Sequence, residues 1–203
     1  MIYKITNFTV SILYTMLRLK KHLQRKYHLA EADWDIIKEY FDPFPVRKNE
    51  YVVQKGKVCR RISFIAEGVL RYCMDQNGKD VTCFFISENC FAGDPDSFLA
   101  HKPSERNLQA LTDCVLIGIT YDNLQKLKKV YSRCQEIMGL IDHDVMMSLL
   151  NQRDFLQHAN ATTRYQKFME YYPDILQRVP LSYVASFLGI KQQSLSRLRK
   201  KIS

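Results

Sequence analysis

PLSYVASFLGIKQQSLSRLRKKI, residues Pro180 to Ile202, is the stretch whose reading decides the fold. Leu181, Val184 and Leu188 repeat at helical spacing, and so do Ile190, Leu195 and Leu198. Gly189 stands between the two sets and can take the positive φ that ends a helix. Ala185 is small where the two helices must approach. Pro180 suits a first helical turn, where its missing N–H is no loss. The pattern predicts a helix-turn-helix. Its second helix carries Gln192, Gln193, Ser194, Arg197, Lys200 and Lys201 on the polar side. Gln and Arg make paired hydrogen bonds to base edges in a major groove, and lysines neutralise phosphates, so these residues are candidate DNA contacts. The plain alternative is a helical hairpin with a solvated basic face.

Charge agrees with a polyanionic partner. The chain of 203 residues carries a net charge of +9, with no acid before Glu31 and none after Asp174. Its length allows one domain or two small ones.

Reading back from the motif, Asn160 to Tyr172 forms a helix that Asn160 can cap and Pro173 ends. Arg164 in it either touches DNA backbone or pairs with an acid such as Glu170. Ser132 to His158 reads as one long helix. Ile137, Ile141, Val145, Met146, Leu149, Leu150 and Leu156 stripe more than one side of it. One side can pack on the upstream domain and the other on a second chain, unless all the stripes are intrachain core. Tyr121 to Lys129 is a short helix. Upstream the period changes to short β-type runs at 51–53, 63–66, 69–74, 81–86 and 114–119, separated by turn signals, the strongest being Asn77-Gly78. That spacing means a sandwich or barrel. Leu29 to Phe41 reads as an amphipathic helix stopped by Pro43 and Pro45.

The first 28 residues are less decided. They are too polar for a membrane span. They read as a disordered or loosely helical extension, an amphipathic surface helix with peripheral membrane affinity, or a start placed too early with Met16 as the alternative. An extension that the core does not need is expected, and membrane association is not.

Six cysteines stand singly, without a CxxC pair or a metal-ligand cluster, and suit reduced core thiols in a cytoplasmic protein. The five histidines are isolated and read as surface or satisfied side chains rather than haem ligands. There is no GxSxG, HExxH or P-loop, so neither catalytic residues nor a metal are expected and the protein is not read as an enzyme.

The order of parts resembles the Crp/Fnr family of transcription regulators, most closely its short Bacteroidetes members. The residues that carry the likeness are Gln54–Cys59, Phe64–Arg71, Asn77–Thr82, Phe91–Asp94, Ser97–Leu99, Leu108–Leu111, Val179–Ile190 and Leu195–Ile202. The resemblance implies an α+β chain. Residues 1–28 would be an extension, 29–130 a cyclic-nucleotide-binding-like β jelly roll, 131–158 a dimerisation helix and 159–203 a helix-turn-helix domain. It also implies a homodimer, double-stranded DNA and RNA polymerase as partners, and a small-molecule effector of unknown identity. Gln192, Gln193 and Arg197 fall on the family's base-reading positions. Gly93, Asp94, Ser97, Ser104 and Arg106 fall where its ligand pocket would lie.

Three departures stand out. The phosphate cassette starts Gly93-Asp94-Pro95, where Pro95 removes an N–H, and no arginine falls clearly into place, so cAMP is not expected as a cofactor. Lys191 stands where the second helix usually has a Ser or Thr cap, and Gln193 where glutamate is common. The sequence given stops at Ser203, directly after the second helix, so the family's wing is expected to be missing. These departures keep open a ligand-binding or protein-interaction module with a degenerate DNA-binding end.

Overall fold

The computed structural model describes residues 2–157 and 160–202. Two antiparallel four-stranded sheets face each other. The first has the order β1 (Asp42–Val46), β8 (Cys114–Thr120), β3 (Arg61–Glu67), β6 (Phe91–Ala92). The second has the order β2 (Tyr51–Val53), β7 (Asn107–Ala110), β4 (Leu70–Gln76), β5 (Lys79–Ile86). Every β-type run of the sequence falls on one of these strands, except that Val69 lies just before β4. Asn77 and Gly78 both take positive φ between Gln76 and Lys79, as a tight hairpin with the strands' own twist requires.

Strands β1, β6 and β7 carry no such signal in the sequence. β1 contains Pro43 and Pro45, which read as helix stops. It is an edge strand paired only with β8, so the absent N–H groups cost no ladder bond.

Alternation sorts each strand's side chains between two environments. Tyr72, Phe84 and Leu108 of the second sheet point into the sandwich, where the Tyr72 and Phe84 rings lie 4.4 Å apart. Arg71, Phe85 and Gln109 point the other way. In the first sheet, Phe64 faces out and stacks on His22 at 5.1 Å.

Helices cover both outer faces. On the first sheet lie α1 (Ile2–Tyr27), α2 (Glu31–Ile37, prolonged by a 3-10 turn Lys38–Tyr40), α4 (Tyr121–Val130) and the first half of α5 (Cys134–Leu156). Short α3 (Pro95–Ala100) links β6 to the segment before β7. On the second sheet lie α6 (Ala161–Tyr171), α7 (Ile175–Arg178), α8 (Leu181–Leu188) and α9 (Gln192–Ile202). Asn160 caps α6 as expected, accepting from the Thr162 N–H at 2.8 Å. Thr120 caps α4.

The N-terminal segment differs from its expected role as a dispensable extension. Leu19, Leu23 and Tyr27, one stripe at i, i+4 and i+8, are buried in the main core. Burying one such side chain is worth about 1.5–3 kcal/mol, so the second half of α1 belongs to the domain. Lys26 also pairs with Asp144 of α5 at 3.0 Å. Among the described residues no helix is long and apolar enough to cross a membrane.

Candidate functional site

Helix α8 ends at Gly189, which takes φ 66° and ψ 34°. Two hydrogen bonds close the turn, Gly189 N–H to Ser186 O at 3.1 Å and Ile190 N–H to Ala185 O at 3.0 Å. Val184, Ala185, Leu188 and Leu195 are buried between the helices, so the apolar pattern of the sequence is their packing pattern. Arg164 of α6 donates through Nε to the Leu188 carbonyl at 3.1 Å, favourable at a helix C-terminus. The acid weighed as its partner, Glu170, pairs with Lys167 instead.

On α9, Gln192, Gln193, Arg197, Lys200 and Lys201 are exposed and Ser194 is half-buried. Arg197 reaches only the Gln193 carbonyl, at 3.5 Å. Among the described residues no α9 side chain is in an ion pair, so Lys191, Arg197, Arg199, Lys200 and Lys201 form an uncompensated positive surface.

The two-helix unit is fastened to the second sheet by α8. Ser186 Oγ accepts the Thr82 N–H at 3.0 Å. Phe85 of β5 lies 5.4 Å from Phe187, 5.9 Å from Phe168 and 6.1 Å from Tyr172, ring centre to ring centre. Among the described residues Arg71 is the most deeply placed charge, 1 % exposed. Its guanidinium donates to Gln109 Oε1 at 2.7 and 3.0 Å, to Thr82 Oγ1 at 2.9 Å and to the Asp80 carboxylate, and its face lies 3.8 Å above the Tyr183 ring of α8. Arg178 and Glu88 close the edge with two hydrogen bonds, at 2.6 and 2.9 Å. Sequence reading did not single out Arg71 for a role. The available signal was a lone charge inside the apolar run Val69-Leu70-Arg71-Tyr72-Cys73, which demands a buried partner set.

At the other end of the sandwich, the structure brings together four of the five expected pocket residues. Asp94, 7 % exposed, caps α3 by accepting the Ser97 N–H at 3.2 Å and also accepts the Ser104 hydroxyl at 2.6 Å. Ser97 Oγ donates to Lys102 O at 2.6 Å and accepts from Cys59 N–H at 2.9 Å. The Tyr72 hydroxyl bonds to the Gly93 backbone, and burial pushes its phenol up to about 12. Burial also pushes the Cys59 thiol up, so it stays protonated beside Asp94. Arg106 is not drawn in: its side chain is exposed, and only its backbone meets Ser104. A cyclic phosphate needs free N–H groups and a guanidinium at this place. The cluster offers instead a carboxylate that already holds the Ser97 N–H and the Ser104 hydroxyl. Cys59 and Tyr72 are members that sequence reasoning missed. Among the described residues all six cysteines are free, and no group of His, Cys, Asp and Glu could hold a metal ion.

This architecture, a β sandwich with a cassette helix between β6 and β7, defines a class. Residues 43–131 match the Cyclic nucleotide-binding domain family. No curated protein sequence matches the chain. Solved structures align over far more of it. The c-di-GMP-responsive global regulator CLP of Xanthomonas campestris matches with a TM-score of 0.67 at 15% identity, over 85% of this chain and 91% of its own. A cyclic nucleotide-binding domain containing protein from Listeria monocytogenes gives 0.65 at 14%, over 91% and 90%. A transcriptional regulator of the Crp/Fnr family from Eubacterium rectale gives 0.64 at 14%, over 86% and 84%. At these identities the likeness is one of fold. It is not confined to the sandwich, since it covers 85–91% of this chain.

Proposed function

We propose that this protein is a homodimeric, cytoplasmic, DNA-binding transcription regulator of the Crp/Fnr type that does not respond to a cyclic nucleotide. The observation that carries the reading is the α8–Gly189–α9 unit, whose buried side is apolar and whose exposed side bears Gln192, Gln193, Arg197, Lys200 and Lys201 with no acid among them. Each α9 enters a major groove, and two half-sites lie about 34 Å apart on a pseudo-palindrome. The dimer forms along α5, where Leu140, Val145, Met146, Leu149 and Leu150 are exposed large apolar side chains on a helix already anchored at its start. The Asp94–Ser104 network supports the negative part, since a phosphate would have to displace a buried carboxylate of its own sign.

The test is footprinting on DNA upstream of the protein's own coding region, at several salt concentrations, with and without cAMP. Specific protection that weakens steeply with salt and is indifferent to cAMP is expected. Arg197→Ala should lower discrimination by about 1–3 kcal/mol. Absence of any binding at low salt would overturn the reading in favour of an interaction module.

A further inference from the structure

Two adjacent residues of β4 face opposite ways and end on different parts of the molecule. Tyr72 points into the sandwich. Its hydroxyl donates to the Gly93 carbonyl and accepts the Gly93 N–H at 3.0 Å. Both backbone polar groups of the cassette's first residue thus close on one buried atom. Gly93 itself has little room: its φ is 154°, and a Cβ there would lie 2.6 Å from Ile62 Cδ1 of β3. Arg71 points out of the same sheet. Gln109 turns Oε1 toward it because its amide nitrogen is already engaged with Asn49 O at 3.2 Å. Thr82 and Asp80 hold the rest of the fork, so the flat face of the guanidinium is presented to the Tyr183 ring of α8.

Strand β5 repeats this division at the same level. Phe84 stacks on Tyr72 inside. Thr82 accepts from Arg71 at Oγ1, and its N–H goes to Ser186 Oγ. Because β5 is the edge of the second sheet, that N–H faces no further strand, and a hydroxyl of α8 takes the place of one. Cys83, between Thr82 and Phe84, is skipped in the ladder: Tyr72 pairs with Phe84 and Cys73 with Thr82. A bulge therefore sits where the cassette contact and the α8 contact meet, and a bulge is a place where a strand changes twist and re-aims its side chains.

We propose that Arg71 is the positioning residue of the α8–α9 unit and that Tyr72 ties it to the cassette, so that the cassette and the DNA-reading helices of one protomer are coupled through β4. A cassette that shifts draws the Tyr72 hydroxyl along, because leaving Gly93 would orphan buried donors and acceptors. One planar peptide joins Tyr72 to Arg71, so the guanidinium then changes its angle beneath Tyr183. Helix α8 carries the change to α9 across Gly189. The route stays within one chain and does not run through α5. Its consequence for DNA rests on the regulator reading, whereas the coupling itself does not.

Hydrogen exchange on the full chain tests the coupling, because each end has its own amide. The Gly93 N–H reports the cassette tie and the Thr82 N–H reports the docking of α8. Tyr72→Phe keeps the ring and removes the hydroxyl, and Tyr183→Leu keeps apolar bulk and removes the ring over Arg71. Tyr72→Phe should speed Thr82 exchange about five-fold beyond any change at the α4 amides, which report the stability of the sandwich, and Tyr183→Leu should likewise speed Gly93 exchange. In the double variant the effects at either amide should combine to less than their product. Tyr72→Phe should also lower affinity for the footprinted DNA without altering its salt dependence, since no phosphate contact is touched. Thr82 exchange that merely follows the α4 amides in Tyr72→Phe, or fully multiplicative effects in the double variant, would overturn the proposal. Coupled amides in a protein that binds no DNA would uphold it and sink the regulator reading alone, so the two failures are separable.

Discussion

Consider the removal of Arg178, the charged clasp between the α7–α8 corner and the sandwich. Its guanidinium meets both oxygens of Glu88 at 2.6 and 2.9 Å, and Glu88 Oε1 also accepts the Gly68 N–H at 2.7 Å. The side chains are 31% and 20% exposed, between the surface and buried cases. Surface pairs contribute about 0.2–1 kcal/mol, and breaking a fully buried pair costs about 3–5 kcal/mol. A forked pair in this intermediate setting should have a coupling energy of about 1.5 kcal/mol. Urea denaturation of wild type, Arg178→Ala, Glu88→Ala and the double variant measures it as a cycle. The dependence on pH gives a second reading. Burial tends to raise the Glu88 carboxyl, but hydrogen bonds from Arg178 and the backbone outweigh this and hold it below its usual range. A carboxyl lowered on folding adds stability that is complete above its unfolded value of about 4.3 and is lost as pH falls through the folded value. The wild type's advantage over Arg178→Ala should therefore shrink on acidification below that point. A coupling under about 0.3 kcal/mol, the scatter of independent sites, together with parallel pH curves, would refute the claim that this pair fastens the two halves.

Further outcomes are expected. Phe187→Ala empties a buried site among Phe85, Phe168 and Tyr172 and should cost about 3–5 kcal/mol in chemical denaturation. Burial among Phe64, Phe91 and Tyr27, helped by Lys26 and opposed by Asp144, lowers His22 to about 4. Its unfolded value is about 6.5, so stability should fall as pH drops from there toward the folded value, and His22→Phe should flatten that slope in thermal melts. Leu150→Glu on the exposed stripe of α5 should shift the protein to monomer in sedimentation velocity while leaving its circular dichroism unchanged.

What was legible in the sequence was what local periodicity encodes. Leu181, Val184 and Leu188 announce α8, Gly189 its end, Asn77-Gly78 the hairpin, and Asn160 the start of α6. What was not legible depends on long-range partners. The prolines of β1 become permissible only because β8 alone lies beside them. In α1, the polar Thr6, Asn7, Thr9, Ser11 and Thr15 mask the stripe of Leu19, Leu23 and Tyr27, whose burial is decided by the outer face of β3. Of the candidate pocket, Gly93, Asp94, Ser97 and Ser104 were found through resemblance. Cys59 reaches them from 35 residues away and Tyr72 from 21, separations that no pattern marks. Arg71 likewise has a meaning only once Tyr183, from the distant α8, covers it.

The second sheet is shared property. Its inner side completes one core and its outer side, through Phe85 with Val69 and Leu111 just beyond its strands, completes the other. The C-terminal helices are thus not a cartridge that can be exchanged between homologues. A chimera joined after α5 would pair foreign helices with a wall shaped for Phe187, Phe168 and Tyr172, and a truncation there would expose that wall. If the proposed function holds, any diversification of the DNA-reading end has to spare the α8 surface and act on α9 alone, whose exposed side makes no ion pair among the described residues.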